Sequence, residues 1–227
     1  MAKFLIHSCR KREWYVDNFL VPSMQEQGIS ADDILIYIDN GTGNLPAFVD
    51  SCRSSLEHFK DADAIWHLQD DVLICSDFAK RVNELEPFKL VGGFTCGFDL
   101  NTDGGLFKVG EEKNWLSFPC IKIPTNIQKH FVEWTDPNLW KNPYFKEYVQ
   151  RKNGDDFVFR EFLIYYYKDE DFLNVTPNLV EHVDYLLGGS TVSPVRRKPT
   201  PTRSLYFQDK HLVDGLKEKL AKADKNA

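Results

Sequence analysis

No run of about 20 consecutive apolar residues occurs in the chain, so no segment has the length of a membrane-spanning helix. The apolar part of Met1-Ala2-Lys3-Phe4-Leu5-Ile6-His7-Ser8-Cys9 is also too short for a secretory signal. Together these absences lead to the expectation of a soluble, cytoplasmic protein with no membrane partner. Cysteine is scarce. Cys9, Cys52, Cys75, Cys96 and Cys120 are odd in number, widely spaced and free of any C-x-x-C, which argues against a disulfide framework and a zinc knuckle and fits reduced thiols. An excess of basic charge is missing too: 28 Lys and Arg face 34 Asp and Glu, a net charge of -6, which rules out a uniformly basic surface for nucleic acid. There is no internal repeat. Neither a G-x-G-x-x-G after a strand nor a G-x-x-x-x-G-K-[ST] occurs, so a Rossmann dinucleotide site and a P-loop are unsupported.

What is present is globular. With 42% hydrophobic and 14% aromatic residues, 227 residues suffice for one large domain, or a domain with an extended tail. The periodicity predicts strand, helix, strand, helix, strand: Lys3 to Ser8, Glu13 to Gln27, Asp33 to Asp39, a helix from Pro46 carrying Phe48, Val49, Cys52, Leu56 and Phe59, and a strand beginning at Ala64. That alternation is the pattern of an α/β fold with a mostly parallel central sheet flanked by helices. Further along, Ser76 is placed to cap a helix through Leu85, Lys89 to Phe94 and Ser117 to Ile123 read as strands, and Thr125 with Gln128 reads as a capping box for a helix through Trp134. The segment Thr95 to Asn114 suits a loop or hairpin. A last amphipathic helix runs from Asp209 to Lys222.

Two acid pairs stand out. The apolar strand Ala64 to Leu68 leads through Gln69 into Asp70-Asp71, and open α/β sheets bind ligands at the carboxyl ends of their strands. Two adjacent carboxylates there call for a cation, since burying each charge costs several kcal/mol. A hard ion such as Mg²⁺ or Mn²⁺, completed by substrate phosphates, is one answer and a solvated turn the other. Asp39 ends the second strand before the turn Asn40-Gly41-Thr42-Gly43-Asn44. The second pair, Asp155-Asp156, precedes a helix, where Asp serves as a cap and is favoured by the helix dipole. His182 stands alone in an apolar-polar stretch. Val195 to Arg203 is the only dense basic run, kept extended by its prolines.

Taken in order, Gln69-Asp70-Asp71-Val72, the piece Phe118 to Pro124, Gly154-Asp155-Asp156 and Pro177-Asn178-Leu179-Val180-Glu181-His182-Val183 resemble the landmarks of a GT-A-fold, metal-dependent glycosyltransferase. The resemblance covers about residues 3 to 190, with 84 residues from Asp71 to Asp155 and 111 from Asp71 to His182. It implies a GT-A-like catalytic domain over 1-190, with a nucleotide-sugar half about 1-95 and an acceptor half about 96-190, followed by a basic extended segment and helix over 191-227. It implies transfer of a hexosyl or pentosyl group from a nucleotide-diphosphate donor, a UDP-sugar first among them, to an acceptor hydroxyl. Asp71 and His182 would hold Mn²⁺ or Mg²⁺. Asp70 would approach the ribose or the metal's waters, and Ser8, Arg10, Arg12 and Asp39 would face the nucleotide. Asp155 or Asp156 matches the general base of inverting members, kept ionised by a helix N-terminus. The chain departs from the D-x-D pattern in reading Gln-Asp-Asp-Val.

A glycan is the first acceptor to expect, with Trp115, Trp134, Trp140 and Tyr144 as stacking faces or core, Trp134 as core. A hydroxymethylated base in DNA is the second, with the Arg196 to Arg203 run on the backbone. Two other classes compete. A nucleotidyltransferase would carry a Gly-rich basic loop after the first strand, where Ser8-Cys9-Arg10-Lys11-Arg12 has no glycine. In a non-catalytic binding module both acid pairs would be structural.

Overall fold

A computed structural model describes residues 2–94, 104–111, 118–135, 155–189 and 207–223. Strand β1 (Lys3–Cys9) is followed by α1, a continuous helical stretch of Glu13–Tyr15, a π-type segment Val16–Leu20, and Val21–Glu26. The expected single α-helix thus carries a π turn. Pro22 accounts for it: its ring crowds the carbonyl four residues back and it has no N–H to give, and the wider turn before it moves that carbonyl aside. Next come β2 (Ile34–Asp39), α2 (Asn44–His58), β3 (Ala64–Gln69), β4 (Val72–Ile74), α3 (Phe78–Glu84) and β5 (Leu90–Gly92). The remainder is β6 (Gly105–Lys108), β7 (Cys120–Pro124), α4 (Thr125–Trp134), α5 (Asp155–Tyr166), β8 (Asp171–Asn174), β9 (Val180–His182) and α6 (Lys210–Ala223).

Seven strands form one mixed sheet in the order β2-β1-β3-β7-β5-β8-β6. The pairing runs five of them in one direction and β7 and β6 in the other. The α/β class and the mostly parallel central sheet flanked by helices are therefore as expected. The two-residue alternation of the strands sorts the core. Phe4, Ile6, Trp66 and Leu68 face α1, α3 and α6, packing with Tyr15, Leu20, Met24, Phe78, Val213 and Leu216. On the opposite face Ile121, Ile123 and Phe172 pack with Phe48, Cys52, Phe131, Phe159 and Phe162 of α2, α4 and α5. Phe48 centres an aromatic cluster, its ring 5.1 Å from Phe118, 5.6 Å from Phe131 and 5.7 Å from Phe159.

Two local expectations are corrected. Ser76 does not cap α3; its backbone N–H and Oγ donate to Asp209 at the start of the last helix, and Asp77 occupies the cap position without a side-chain capping bond. Thr125 and Gln128 form no capping box. Thr125 Oγ1 donates to the carbonyls of Ala62 and Asp63, while Gln128 is drawn into the core, accepting from His67 Nε2 at 2.9 Å and donating to Cys52 O and Ser55 Oγ. Trp134 packs on Phe131 and Phe162, as core. Among the described residues no helix is long and apolar enough to cross a membrane.

Candidate functional site

The apolar run of β3 stops at Asp70-Asp71 because the chain there leaves the main sheet. Val72 to Ile74 instead pairs antiparallel with β9, in a register that sets Val72 opposite His182. A bond from Val183 N–H to Asp71 O, 2.7 Å, closes that junction. His182 Nε2 thereby comes within 3.1 Å of Asp71 Oδ1, although the two lie 111 residues apart in the chain. On the other side of the ring His182 Nδ1 lies 3.6 Å from Asp184 Oδ1.

The end of β1, alongside β3, supplies the rest. Asp70 Oδ2 accepts from Cys9 N–H at 2.9 Å and Ser8 Oγ at 3.1 Å. Arg12, 2% exposed, donates from Nη2 to Gly189 O at 2.7 Å and stands 3.9 Å from Asp71 Oδ2. Gly188 and Gly189, at φ of 90° and 86°, make the turn that presents this carbonyl, in a region L side chains rarely adopt. Tyr15 Oη donates to Val72 O at 2.9 Å and fixes the start of β4 from below. Ser8, Arg12, Asp70, Asp71 and His182 are thus brought together. Asp39 lies opposite Cys9 at the same sheet edge, but its Oδ1 caps its own turn through Gly41 N, Thr42 N and Thr42 Oγ1. Arg10 is exposed on the loop after β1.

The charges interlock. Burial alone would raise Asp71, yet the His182 imidazole and the Arg12 guanidinium hold it below its ordinary value. Burial would lower His182, and Asp71, with Asp184 and Glu181 behind it, overrides this and lifts it to about 8. Asp70 is pushed up to about 7 by burial and the like charge of Asp71, against the bonds from Cys9 and Ser8 and the charge of Arg12. Three buried polar atoms here have no hydrogen-bond partner: Asp71 Oδ1, Asp184 Oδ1 and Arg12 Nη1. The short approach of His182 to Asp71 Oδ1 is therefore an ion-pair contact without good hydrogen-bond geometry.

No group of three or more His, Cys, Asp or Glu side chains among the described residues is arranged to hold a metal. Two are. Ligands at about 2.1 Å and right angles on an octahedral ion lie about 3.0 Å apart, and the Asp71 Oδ1 to His182 Nε2 separation of 3.1 Å matches that spacing. Mg²⁺-type ions at phosphate sites commonly use only one or two protein ligands, with water and phosphate oxygens completing the shell.

Asp155 and Asp156 open α5 in its first turn. One turn on, Phe159 packs 5.8 Å from Phe118, just ahead of β7, whose Cys120 pairs with Leu68 near the carboxyl end of β3. Phe159 of α5 therefore packs next to the end of β7 that pairs with the carboxyl end of β3. Burial and the Asp156 charge raise Asp155 to about 6, and bonds from the backbone N–H groups of Asp155 and Asp156 only partly oppose this. The helix N-terminus does less here than the sequence suggests. Asp155 also helps push the buried Cys52 thiol up, after burial itself, which places it against α2.

Sequence reasoning missed Asp184, Tyr15 and Gly189. Only Asp184 left a signal, as an acid two residues after the candidate ligand histidine. Trp115, Trp140, Tyr144 and Arg196 to Arg203 lie outside the described residues.

No protein-family model matches the chain, and no curated protein matches it in sequence. Among solved structures it is similar to a glycosyltransferase involved in the glycosylation of the major capsid of PBCV-1, at 10% identity and a TM-score of 0.39, covering 66% of this chain and 76% of that one. It is similar to A197 from STIV at 17% identity and a TM-score of 0.40, covering 79% and 83%. HddC from Yersinia pseudotuberculosis follows at 12% identity and a TM-score of 0.30, covering 57% and 80%. Likenesses this distant leave the reading of the site to its geometry.

Proposed function

We propose that this chain is a divalent-metal-dependent glycosyltransferase that moves a sugar from a nucleotide-diphosphate donor to an acceptor hydroxyl. The observation that supports it is the meeting of Asp71 and His182 at the carboxyl edge of the sheet, at the spacing of two neighbouring ligands on one ion. Asp71 and His182 would hold Mn²⁺ or Mg²⁺, which when bound offsets the charge that builds on the departing diphosphate. Asp70 and Asp184 are buried and Asp71 nearly so, and among the described residues the cations beside Asp71 are Arg12 and, when protonated, His182, which supports a site in need of positive charge.

In this reading Asp70, anchored by Cys9 N–H and Ser8, orients the ribose or the waters around the ion. Arg12 holds the Gly189 turn against Asp71, and Arg10 and Asp39 line the nucleotide side. Asp155, or Asp156 beside it, takes the acceptor hydroxyl's proton as that oxygen attacks the anomeric carbon, an inverting course. A base raised to about 6 is largely ionised at neutral pH and stronger than an ordinary aspartate. A UDP-sugar is the donor we favour and a glycan the acceptor, with a hydroxymethylated base in DNA second.

One observation favours a different reading. With His182 raised to about 8, the metal-free site at neutral pH is a closed ion pair, as a purely structural module would have it. A thermal-shift panel of UDP, GDP, CDP, ADP and their sugar conjugates, each with Mn²⁺ and with chelator, separates the two. A ligand at a hundredfold excess over its dissociation constant stabilises by about 2.7 kcal/mol. A shift that needs both one nucleotide and the metal supports the transferase. No shift from any nucleotide with metal leaves the structural reading.

A further inference from the structure

His182 ends β9, and Asp184 opens the short 3-10 turn Asp184–Leu186 that follows it. The two imidazole nitrogens point away from each other. Asp71 Oδ1 lies 3.1 Å from Nε2, and Asp184 Oδ1 lies 3.6 Å from Nδ1 on the far side of the ring. An ion bound at Nε2 and Asp71 is therefore out of reach of Asp184, which stands outside the ligand set.

A neutral imidazole has one lone pair and one N–H. If Nε2 is to give its lone pair to an ion, the proton must sit on Nδ1, and a buried N–H needs an acceptor. Glu181, the neighbouring acid, accepts from the backbone N–H of His182, and the Phe94 ring approaches the imidazole at 6.2 Å. Asp184 is 7% exposed, and its Oδ1 is buried with no hydrogen-bond partner. The backbone carbonyl of Asp184 carries the structural duty of the turn, accepting from Leu187 N at 3.0 Å and Gly189 N at 2.8 Å. Those bonds survive any change of side chain, so the carboxylate is not needed for them.

We propose that Asp184 is a positioning residue for His182: its carboxylate accepts the Nδ1 proton, fixes the ring and leaves Nε2 to the divalent ion. The inference rests on the metal-site reading given above. The gap of 3.6 Å closes to hydrogen-bond length with a ring displacement of about 0.7 Å. Contacts of this kind are often long before a site is loaded.

The test is Mn²⁺ affinity in the presence of UDP, read from the electron paramagnetic resonance of free Mn²⁺, for wild type, Asp184→Ala, Asp184→Asn and Asp71→Ala. Asp184→Ala should weaken Mn²⁺ roughly 10- to 100-fold, the usual effect of removing an outer-shell partner. Asp184→Asn, which keeps an acceptor and loses the charge, should fall between it and wild type. The Mg²⁺- and UDP-loaded protein should show a slowly exchanging His182 Nδ1 proton by NMR, absent in Asp184→Ala. Wild-type affinity in both Asp184 variants, with Asp71→Ala weakened, overturns this inference alone. If wild type binds no Mn²⁺, the metal-site reading falls and takes the inference with it. Should the alanine variant not fold, unchanged affinity and an unchanged Nδ1 proton in Asp184→Asn would overturn the proposal by themselves.

Discussion

Asp71→Asn, studied without metal, should flatten the pH dependence of stability between about pH 6 and pH 9. In wild type His182 is raised from 6.5 to about 8, because Asp71 and the acids behind it outweigh burial. A histidine raised on folding contributes stability that is fully present below pH 6.5 and is lost as pH climbs through 8. At 1.36 kcal/mol per unit, that contribution is about 2 kcal/mol. Asp70 acts in the same direction. Raised from 3.8 to about 7 by burial and by Asp71, it favours the folded state while protonated, and that preference is lost as pH rises towards 7. Without the Asp71 charge, burial takes His182 back down and Asp70 loses its like-charged neighbour, so both contributions shrink. Urea unfolding with chelator, at about pH 6, 7.5 and 9, reads the difference. Wild type should lose about 2 kcal/mol or more across the window, and the variant less than half as much. Equal slopes in the two proteins would refute the assignment of this pH dependence to the Asp71 and His182 contact.

Three further predictions rest on separate parts of the molecule. A Cβ on Gly93 would lie 2.6 Å from Cys120 Sγ and 3.0 Å from Leu179 Cδ1, so Gly93→Ala should cost about 1 to 3 kcal/mol in chemical denaturation. Adding Cys120→Ala should recover part of that loss. Gln128→Leu leaves the buried His67 Nε2 without its acceptor, whereas Cys52 O and Ser55 Oγ keep the bond between them, and should cost about 1 to 3 kcal/mol. Asp155→Asn should lower kcat roughly 10²- to 10⁴-fold if Asp155 is the base. Since the base must be deprotonated and sits at about 6, wild-type kcat should fall as pH drops below that value.

The central architecture was legible because buried central strands read as apolar runs whatever lies around them. Ala64 to Leu68 and Lys3 to Ser8 are examples, the first running through Gln69 into Asp70 and Asp71 and the second into Cys9 and three basic residues. β8 was missed: Asp171–Asn174 has four residues and polar ends, and becomes a strand only because β5 and β6 lie on either side of it. Thr125 and Gln128 had capping-box spacing, but the buried His67 beside them competes for the glutamine, and a buried donor without a partner costs more than a missing cap. The candidate site was half readable. Its residue types stood in the chain, but the contact between Asp71 and His182 is made by β4 pairing with β9, a three-residue ladder between distant segments that no local pattern announces. The fate of Asp39 was hidden for the opposite reason: an Asp before Gly and Thr can cap its own turn, and here it does.

The most direct test of the proposed metal-dependent donor site is calorimetric titration of UDP into wild type with Mn²⁺ and with chelator, and into Asp71→Ala and His182→Ala with Mn²⁺. The site geometry predicts binding to wild type only when Mn²⁺ is present, and its loss in both variants. UDP binding that ignores the metal, or persists unchanged in both variants, would contradict it.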